Sequence, residues 1–598
     1  MRYSRNLITT TWLAWASARD PVEGEIARGL ERVGRHYGGL LATPPVASHA
    51  TAGRVGIAVW APADAPGAWP AWSDDGEVVL ASASPPMGRR RLIGARPIDA
   101  APPALARALL RDPASMRRLD PPATLGALDR VGGRLVLGND LLGCGRLYEL
   151  EHPGGVVWSN RLGALPLFAG TDPELDERAW RVFAATGWFM GDATPLRGCR
   201  KVPPGAAIAV DREGAVERSS EDPRAALVRP RKPMLRARSR QIAIAAEEAA
   251  ADVAGLMAEI AEVWSGPISI ALTGGRDSRV SAAGAVASGA AVVFNTGDQV
   301  PGEVDTARAL VAAAPGEFEH RVFRPEPESE PDDDLVERVA RIHLVHDGMR
   351  NPQEARRATE VPHTELPPPT VSGHGGELGH GFYYANAAKL RRLQRGGERA
   401  LLAQLDRNAR RKHSAARPEA YRDYLEDCER VLELGRRWGL RGPALLDFFY
   451  MAERLPHRSG LGARTARYSA CVVPGFIRGA FDLAPRDRLS ARLHRAVVAQ
   501  LVPAWAEIPF FRASDDSELP EIHRRRAWER EREAAVLSEV IAADGAWTEI
   551  FDAARVREMW SELEAGGGSA DYEHVLDRIV WREAYERHLA TLRAALRD

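Results

Sequence analysis

The chain has 598 residues, of which 45% are hydrophobic and 27% charged, with a formal net charge of -1. Such a length exceeds one ordinary core and predicts several domains, since a domain runs to roughly 100–200 residues. The balanced charge gives no global attraction to nucleic acid or to an anionic membrane, and no apolar run approaches the ~20 residues of a membrane span. The expectation is a cytoplasmic protein with neither kind of partner.

Residues 7–17 are threonine-rich, short and closed by Arg19-Asp20, which argues against a targeting segment. Cys144, Cys199, Cys428 and Cys471 lie far apart without CxxC spacing, so they are read as buried small hydrophobes and not as a zinc site or disulfide framework. Up to about residue 216, short β-like runs at 55–60, 78–81, 133–137 and 156–159 alternate with Gly, Pro and Asp turns. An all-β or α+β domain fits this pattern. Residues 218–238 hold three prolines and six arginines with no sustained apolar period, which predicts a linker.

An amphipathic helix is expected over 241–264. Strands at 267–272, 291–295 and 318–323 then alternate with helices at 278–287, 303–314 and 334–345, the pattern of a parallel sheet covered on both faces. A further strand at 370–372 follows. Residues 388–437 are charged and arginine-rich, which predicts a helical cap, and 522–598 is mostly helical with a break at Gly566-Gly567-Gly568. No internal repeat is present.

Two glycine loops carry the chemistry. After the strand at 267–272, Thr273-Gly274-Gly275-Arg276-Asp277-Ser278 opens a helix, so backbone N–H groups can approach phosphate oxygens with no Cβ in the way. Thr273 and Ser278 can donate hydroxyl hydrogen bonds, and Asp277 can hold a Mg²⁺ that bridges phosphates. No Gly-Lys-Ser/Thr follows, so the loop is not a Walker loop, and by itself a Gly-Gly pair is also the mark of a plain turn.

Leu272-Thr273-Gly274-Gly275-Arg276-Asp277-Ser278 resembles the Ser-Gly-Gly-x-Asp-Ser pyrophosphatase loop of the asparagine synthetase family, and Ser372-Gly373-His374-Gly375-Gly376-Glu377 resembles that family's second loop, Ser-Gly-Glu/Tyr-Gly-Ser-Asp. The resemblance implies ATP as cosubstrate, held by Leu272, Thr273, Gly274, Gly275, Asp277, Ser278, Ser372 and Gly373, with Phe294 or Asn295 beside the adenine. It implies Mg²⁺ on Asp277 and on Glu377, which stands where the family has Asp. His374 replaces the Glu or Tyr that lies near the reacting carbonyl. Imidazole can move a proton near neutral pH, and a loop histidine bonded to backbone is the equal alternative. His363, His374 and His380 are too loosely spaced to argue a zinc site.

The same resemblance extends to Gly138-Asn139-Asp140 and Val202-Pro203-Pro204-Gly205, which are similar to parts of the family's glutaminase domain. That activity needs a cysteine directly after the initiator methionine; here Arg2 stands there, so the thiol chemistry is lost. The family's transition-state lysine is also missing, and Arg512, in Ile508-Pro509-Phe510-Phe511-Arg512, is the candidate cation.

The resemblance therefore implies an α/β chain. A degenerate class II glutaminase-like α+β sandwich over 1–217 precedes the linker, and a parallel-sheet, nucleotide-binding synthetase domain with a helical cap covers 239–598. The implied activity is adenylation of a carboxylate and its condensation with a ready-made amine, on a small molecule or a precursor peptide, as in β-lactam synthetases and lasso peptide cyclases. An inactive ATP-binding homologue is the alternative of a different class.

Overall fold

A computed structural model describes residues 10–20, 23–38, 46–61, 69–219, 221–229, 238–264, 266–324, 334–352, 369–384, 386–412, 415–458, 467–511 and 527–597. Among these, the first part of the chain forms two six-stranded sheets. One has the order β10 (Cys199–Lys201), β8 (Tyr148–His152), β9 (Gly155–Ser159), β1 (Thr11–Ser17), β3 (Val55–Ala61), β2 (Val46–Ala52). The other runs β12 (Val216–Arg218), β11 (Ala207–Val210), β7 (Leu135–Asn139), β6 (Thr124–Asp129), β5 (Val78–Ser82), β4 (Trp72–Asp74). Every pairing in both is antiparallel.

The period of two along these strands explains the layering. Trp12, Ala14 and Ala16 of β1 join Ile57 and Val59 of β3, Val79 of β5 and Leu135 and Leu137 of β7 in a core between the sheets. Their neighbours Leu13, Trp15, Trp60, Leu80 and Val136 point the opposite way, into the main core with the helices. Both faces are covered, so the strands carry apolar residues at successive positions, unlike half-exposed antiparallel strands.

Within the expected linker 218–238, the described residues 221–229 are not bare coil. Helix Arg224–Val228 lies inside it, with Arg224, Leu227 and Val228 buried, because the Arg224 guanidinium bonds the Asp222 carboxylate (Nη2 to Oδ2, 2.7 Å) and can be buried as a pair. Helix Arg238–Val263 follows and packs on helix Pro474–Asp482.

Next comes a wholly parallel five-stranded sheet, ordered β15 (Glu319–Phe323), β14 (Val292–Gly297), β13 (Ile268–Ala271), β16 (Thr370–Ser372), β17 (Arg467–Ser469). From β13 the chain builds β14 and β15 to one side, then returns to build β16 and β17 on the other. Strand order thus reverses between β13 and β16. The cap comprises helices Ala387–Arg395, Gly397–Lys412 and Pro418–Arg437; Glu531–Ala542, Ala553–Glu564 and Glu573–Arg597 close the chain. Cys144, Cys199, Cys428 and Cys471 are all buried. Among the described residues no helix is long and apolar enough to cross a membrane.

Buried polar contacts join the sandwich to the rest. Asp347 accepts from Arg161 Nε (2.8 Å) and from the Tyr37 hydroxyl (2.8 Å), and Arg89 pairs with Glu259 (3.0 Å) and Glu262 (2.7 Å). Beside Asp347 lie His36 and His588, their ring centroids 6.3 Å apart. Burial pushes His36 down to about 4 and His588 to about 3. Both rings are neutral in the native state, whereas the unfolded chain protonates them below its ordinary value of about 6.5. Stability from this pair is therefore complete above pH 6.5 and falls as pH drops toward 4 and then 3. In urea unfolding at successive pH values, wild type is expected to lose more stability over that window than His36→Gln/His588→Gln, by several kcal/mol; parallel curves would contradict the assignment.

Candidate functional site

Both glycine loops leave the carboxyl ends of neighbouring strands, β13 and β16, on either side of the strand-order reversal. An open parallel sheet forms its ligand crevice at such a reversal. In the first loop, Thr273 Oγ1 accepts from Gly275 N (3.1 Å) and lies 2.9 Å from Ser278 Oγ, which accepts from Thr273 N (3.3 Å). These hydroxyls tie the loop to the start of helix Arg276–Ser288. Gly275, the residue before that helix, has no side chain to cap its first turn, whose N–H groups carry the positive end of the helix dipole.

Asp277 lies in that first turn and meets the second loop directly. A Cβ on Gly376 would fall inside contact distance of the Asp277 carboxyl carbon and 2.8 Å from its Cβ; one on Gly373 would lie 2.6 Å from Ser278 N. Only glycine permits this approach at either position. Ser281 Oγ, in the helix that the first loop opens, also donates to Ser372 O (2.9 Å), fastening that helix to the second loop.

Glu377 Oε2 accepts from Gly375 N (3.0 Å), and the Tyr450 hydroxyl donates to the same carboxylate. Burial and the Glu377 charge push the Tyr450 phenol well up, so it remains a donor. Cys471 is likewise pushed up by burial and by Asp277 and Glu377, and stays a thiol.

Two histidines flank Asp277. Its Oδ1 lies 2.8 Å from His494 Nε2, and its Oδ2 lies 3.3 Å from His380 Nε2. Burial alone would raise the Asp277 carboxyl, but the two imidazoles outweigh it and hold the group well below the usual carboxylate range. His494 is fully buried and pushed down by that burial. Asp277 is thus an anion at neutral pH beside an imidazole that burial keeps neutral.

A strap crosses the first loop. Arg279, only 1% exposed, donates to Ile508 O (2.5 Å), Pro509 O (2.9 Å) and Gly274 O (3.3 Å), while Phe511 N donates to Gly274 O (2.8 Å). Arg512 lies outside the described residues, as does His363.

The other candidates fall as follows. His374 is half-buried at the ends of β16 and β17; its N–H donates to Ser372 Oγ (3.4 Å) and its carbonyl accepts from the Ser469 hydroxyl. Leu272 is fully buried, its N–H bonded to Asn295 O (2.9 Å) and its carbonyl to Thr296 Oγ1 (2.6 Å). Phe294 is a core residue tilted on Phe318 with ring centroids 5.6 Å apart, so its ring cannot lie against a base. The Asn295 side chain is held by Ser269 Oγ (3.1 Å). The half-buried Asn295 and the main-chain groups of this strand end remain for an adenine.

Sequence reasoning missed His494, Tyr450 and Arg279. Arg279 directly follows Ser278 in the loop motif and was the most accessible of the three. Removing His494 is expected to loosen Asp277: His494→Ala should weaken Mn²⁺-dependent nucleotide binding about tenfold, the usual size for a group that orients a metal ligand, with His494→Gln intermediate. A Mn²⁺ titration unchanged in both variants would contradict this.

No protein-family model matches the chain, and no curated protein matches it. Among solved structures it is similar to glutamine phosphoribosylpyrophosphate (PRPP) amidotransferase from B. subtilis, complexed with ADP and GMP. Identity there is 12% and the TM-score 0.22, over 41% of this chain and 58% of that one. A structure described as the allosteric regulatory enzyme of purine biosynthesis is similar at 12% identity and a TM-score of 0.21, over 58% of this chain and 87% of that one. Likenesses this low carry no argument about activity. The resemblance to the asparagine synthetase family rests on the loops and the residues around them.

Proposed function

We propose that this chain is an ATP-dependent ligase that adenylates a carboxylate and passes the acyl group to an amine, without glutaminase activity. The observation that carries the reading is the junction of the two glycine loops at the strand-order reversal, with Asp277 packed on Gly373 and Gly376.

The residues fit a nucleotide with its magnesium. Among the described residues no group of three or more His, Cys, Asp and Glu forms a closed metal cage. Mg²⁺ bound with phosphates needs only one or two carboxylates and keeps its waters. Each Asp277 carboxylate oxygen has a lone pair beyond its imidazole contact, and Glu377, bonded by Gly375 N and Tyr450, keeps further lone pairs. Asp277 and Glu377 would hold the ion. When bound, it offsets the charge on the phosphates and on departing pyrophosphate.

The chain's own groups do the rest. Thr273, Ser278 and the first-turn N–H groups of helix Arg276–Ser288 hold the phosphates. A substrate carboxylate oxygen attacks the α-phosphorus, and pyrophosphate leaves. The amine nitrogen then attacks the acyl carbon, AMP leaves, and His374 receives the amine proton. The amine would arrive ready-made on a small molecule or a precursor peptide.

Product analysis tests the reaction class. With α-labelled ATP, Mg²⁺ and pools of carboxylate and amine substrates, AMP should accumulate in step with amide. Label in ADP would overturn the proposal, and tight ATP binding without turnover of any pool would mark an inactive binding protein.

A further inference from the structure

A cavity of about 430 Å³ lies where the sandwich meets the helices that follow the parallel sheet. Its size is that of a small-molecule site. Lys201, at the end of β10, contributes an ammonium whose Nζ donates to Phe189 O (2.8 Å) and lies 3.4 Å from His457 Nε2. Among the described residues no carboxylate comes within ion-pair reach of it. Burial pushes Lys201 down to about 8, so it remains mostly charged at neutral pH.

Glu453, 5% exposed, lines the same cavity, with Oε2 accepting from Gly191 N (3.1 Å). No cationic nitrogen is within ion-pair reach of it among the described residues. Asp427, which also lines the cavity, is already paired with Arg178 (2.7 Å) and Arg430. Burial raises the Glu453 carboxyl and the Lys201 charge opposes that rise, so the two groups attract each other through space without forming an ion pair. Opposite charges taken largely out of water without an ion pair are unfavourable unless a ligand completes each one.

We propose that this cavity binds a free α-amino acid, its carboxylate on Lys201 and its ammonium on Glu453. One ligand of that class supplies both missing partners, whereas a simple anion or a simple amine leaves one charge uncompensated. Leu142, Met190 and Val431 line the cavity as well and offer room for a side chain. The site also adjoins the glycine loops: Glu453 and Tyr450 belong to one π-helical turn, Tyr450–Arg454, and Tyr450 bonds Glu377.

The test uses the full chain and the twenty standard L-amino acids, one at a time, by thermal shift and calorimetry without nucleotide. At least one should bind saturably. Its N-acetyl and C-amide derivatives should each bind at least tenfold more weakly to wild type. Glu453→Gln and Lys201→Met should each lose at least tenfold in affinity for the free amino acid. Binding by none of the twenty, or undiminished binding of either derivative, would overturn the proposal even if a variant failed to fold. So would undiminished binding by a folded variant. Because nucleotide is absent, this result stands apart from the success or failure of the ligase reading.

Discussion

Asp277→Asn is expected to weaken MgATP binding about a hundredfold, which corresponds to roughly 3 kcal/mol. Asparagine keeps the shape of the side chain, so it respects the close contacts with Gly373 and Gly376 and removes only the charge. That charge lies between His380 and His494, which hold the carboxyl far down in its range and so keep it available as an anionic oxygen ligand. A neutral amide offers one carbonyl oxygen and cannot balance a divalent ion. Calorimetry with MgATP reads the loss, and affinity within threefold of wild type would remove Asp277 from the nucleotide site.

Gly376→Ala should be at least as damaging to nucleotide binding while costing only about 1–3 kcal/mol of stability, the usual range for overpacking. The added methyl would overlap the Asp277 carboxyl, and neither loop can easily withdraw. Gly373 stands against the backbone of Asp277 and Ser278, and Ser281 ties the helix to Ser372. Displacing Asp277 is the least costly way to relieve the clash. Gly255→Ala is the matched control: an added Cβ there meets nothing within 4 Å, and inside helix Arg238–Val263 alanine should stabilise by about 0.5–1 kcal/mol. Equal nucleotide affinity in Gly376→Ala and Gly255→Ala would contradict the loop junction as the binding determinant.

The parallel sheet was legible because its central strands are continuous apolar runs separated by helices of clear period. The expected strand at 291–295 is Val292–Gly297, and the expected helix at 303–314 is Pro301–Ala313. β17 escaped notice, since three residues, Arg467–Ser469, carry no period at all. In the sandwich, helices Glu23–Gly38 and Ala101–Arg111 were not foreseen among the dense Gly and Pro signals.

At the site, both loops and Asp277 could be read because glycine and carboxylate chemistry is local. His494 and Tyr450 could not. His494 lies between Arg492 and Arg495 and Tyr450 follows Phe448 and Phe449, neither within a recognisable motif, and only the fold brings each to Asp277 or Glu377. Phe294 shows the converse: a strand position near the crevice looked like a base contact, but the alternation of strand faces turns its ring into the core.

The most direct test of the account is ATP–pyrophosphate exchange, which reports reversible adenylation before any amine is needed. Wild-type protein with MgATP, labelled pyrophosphate and pools of carboxylates or precursor peptides should return label to ATP with at least one pool, and Asp277→Ala should abolish that return. No exchange with any pool, or exchange that persists in Asp277→Ala, would contradict a shared adenylation site built from the two glycine loops.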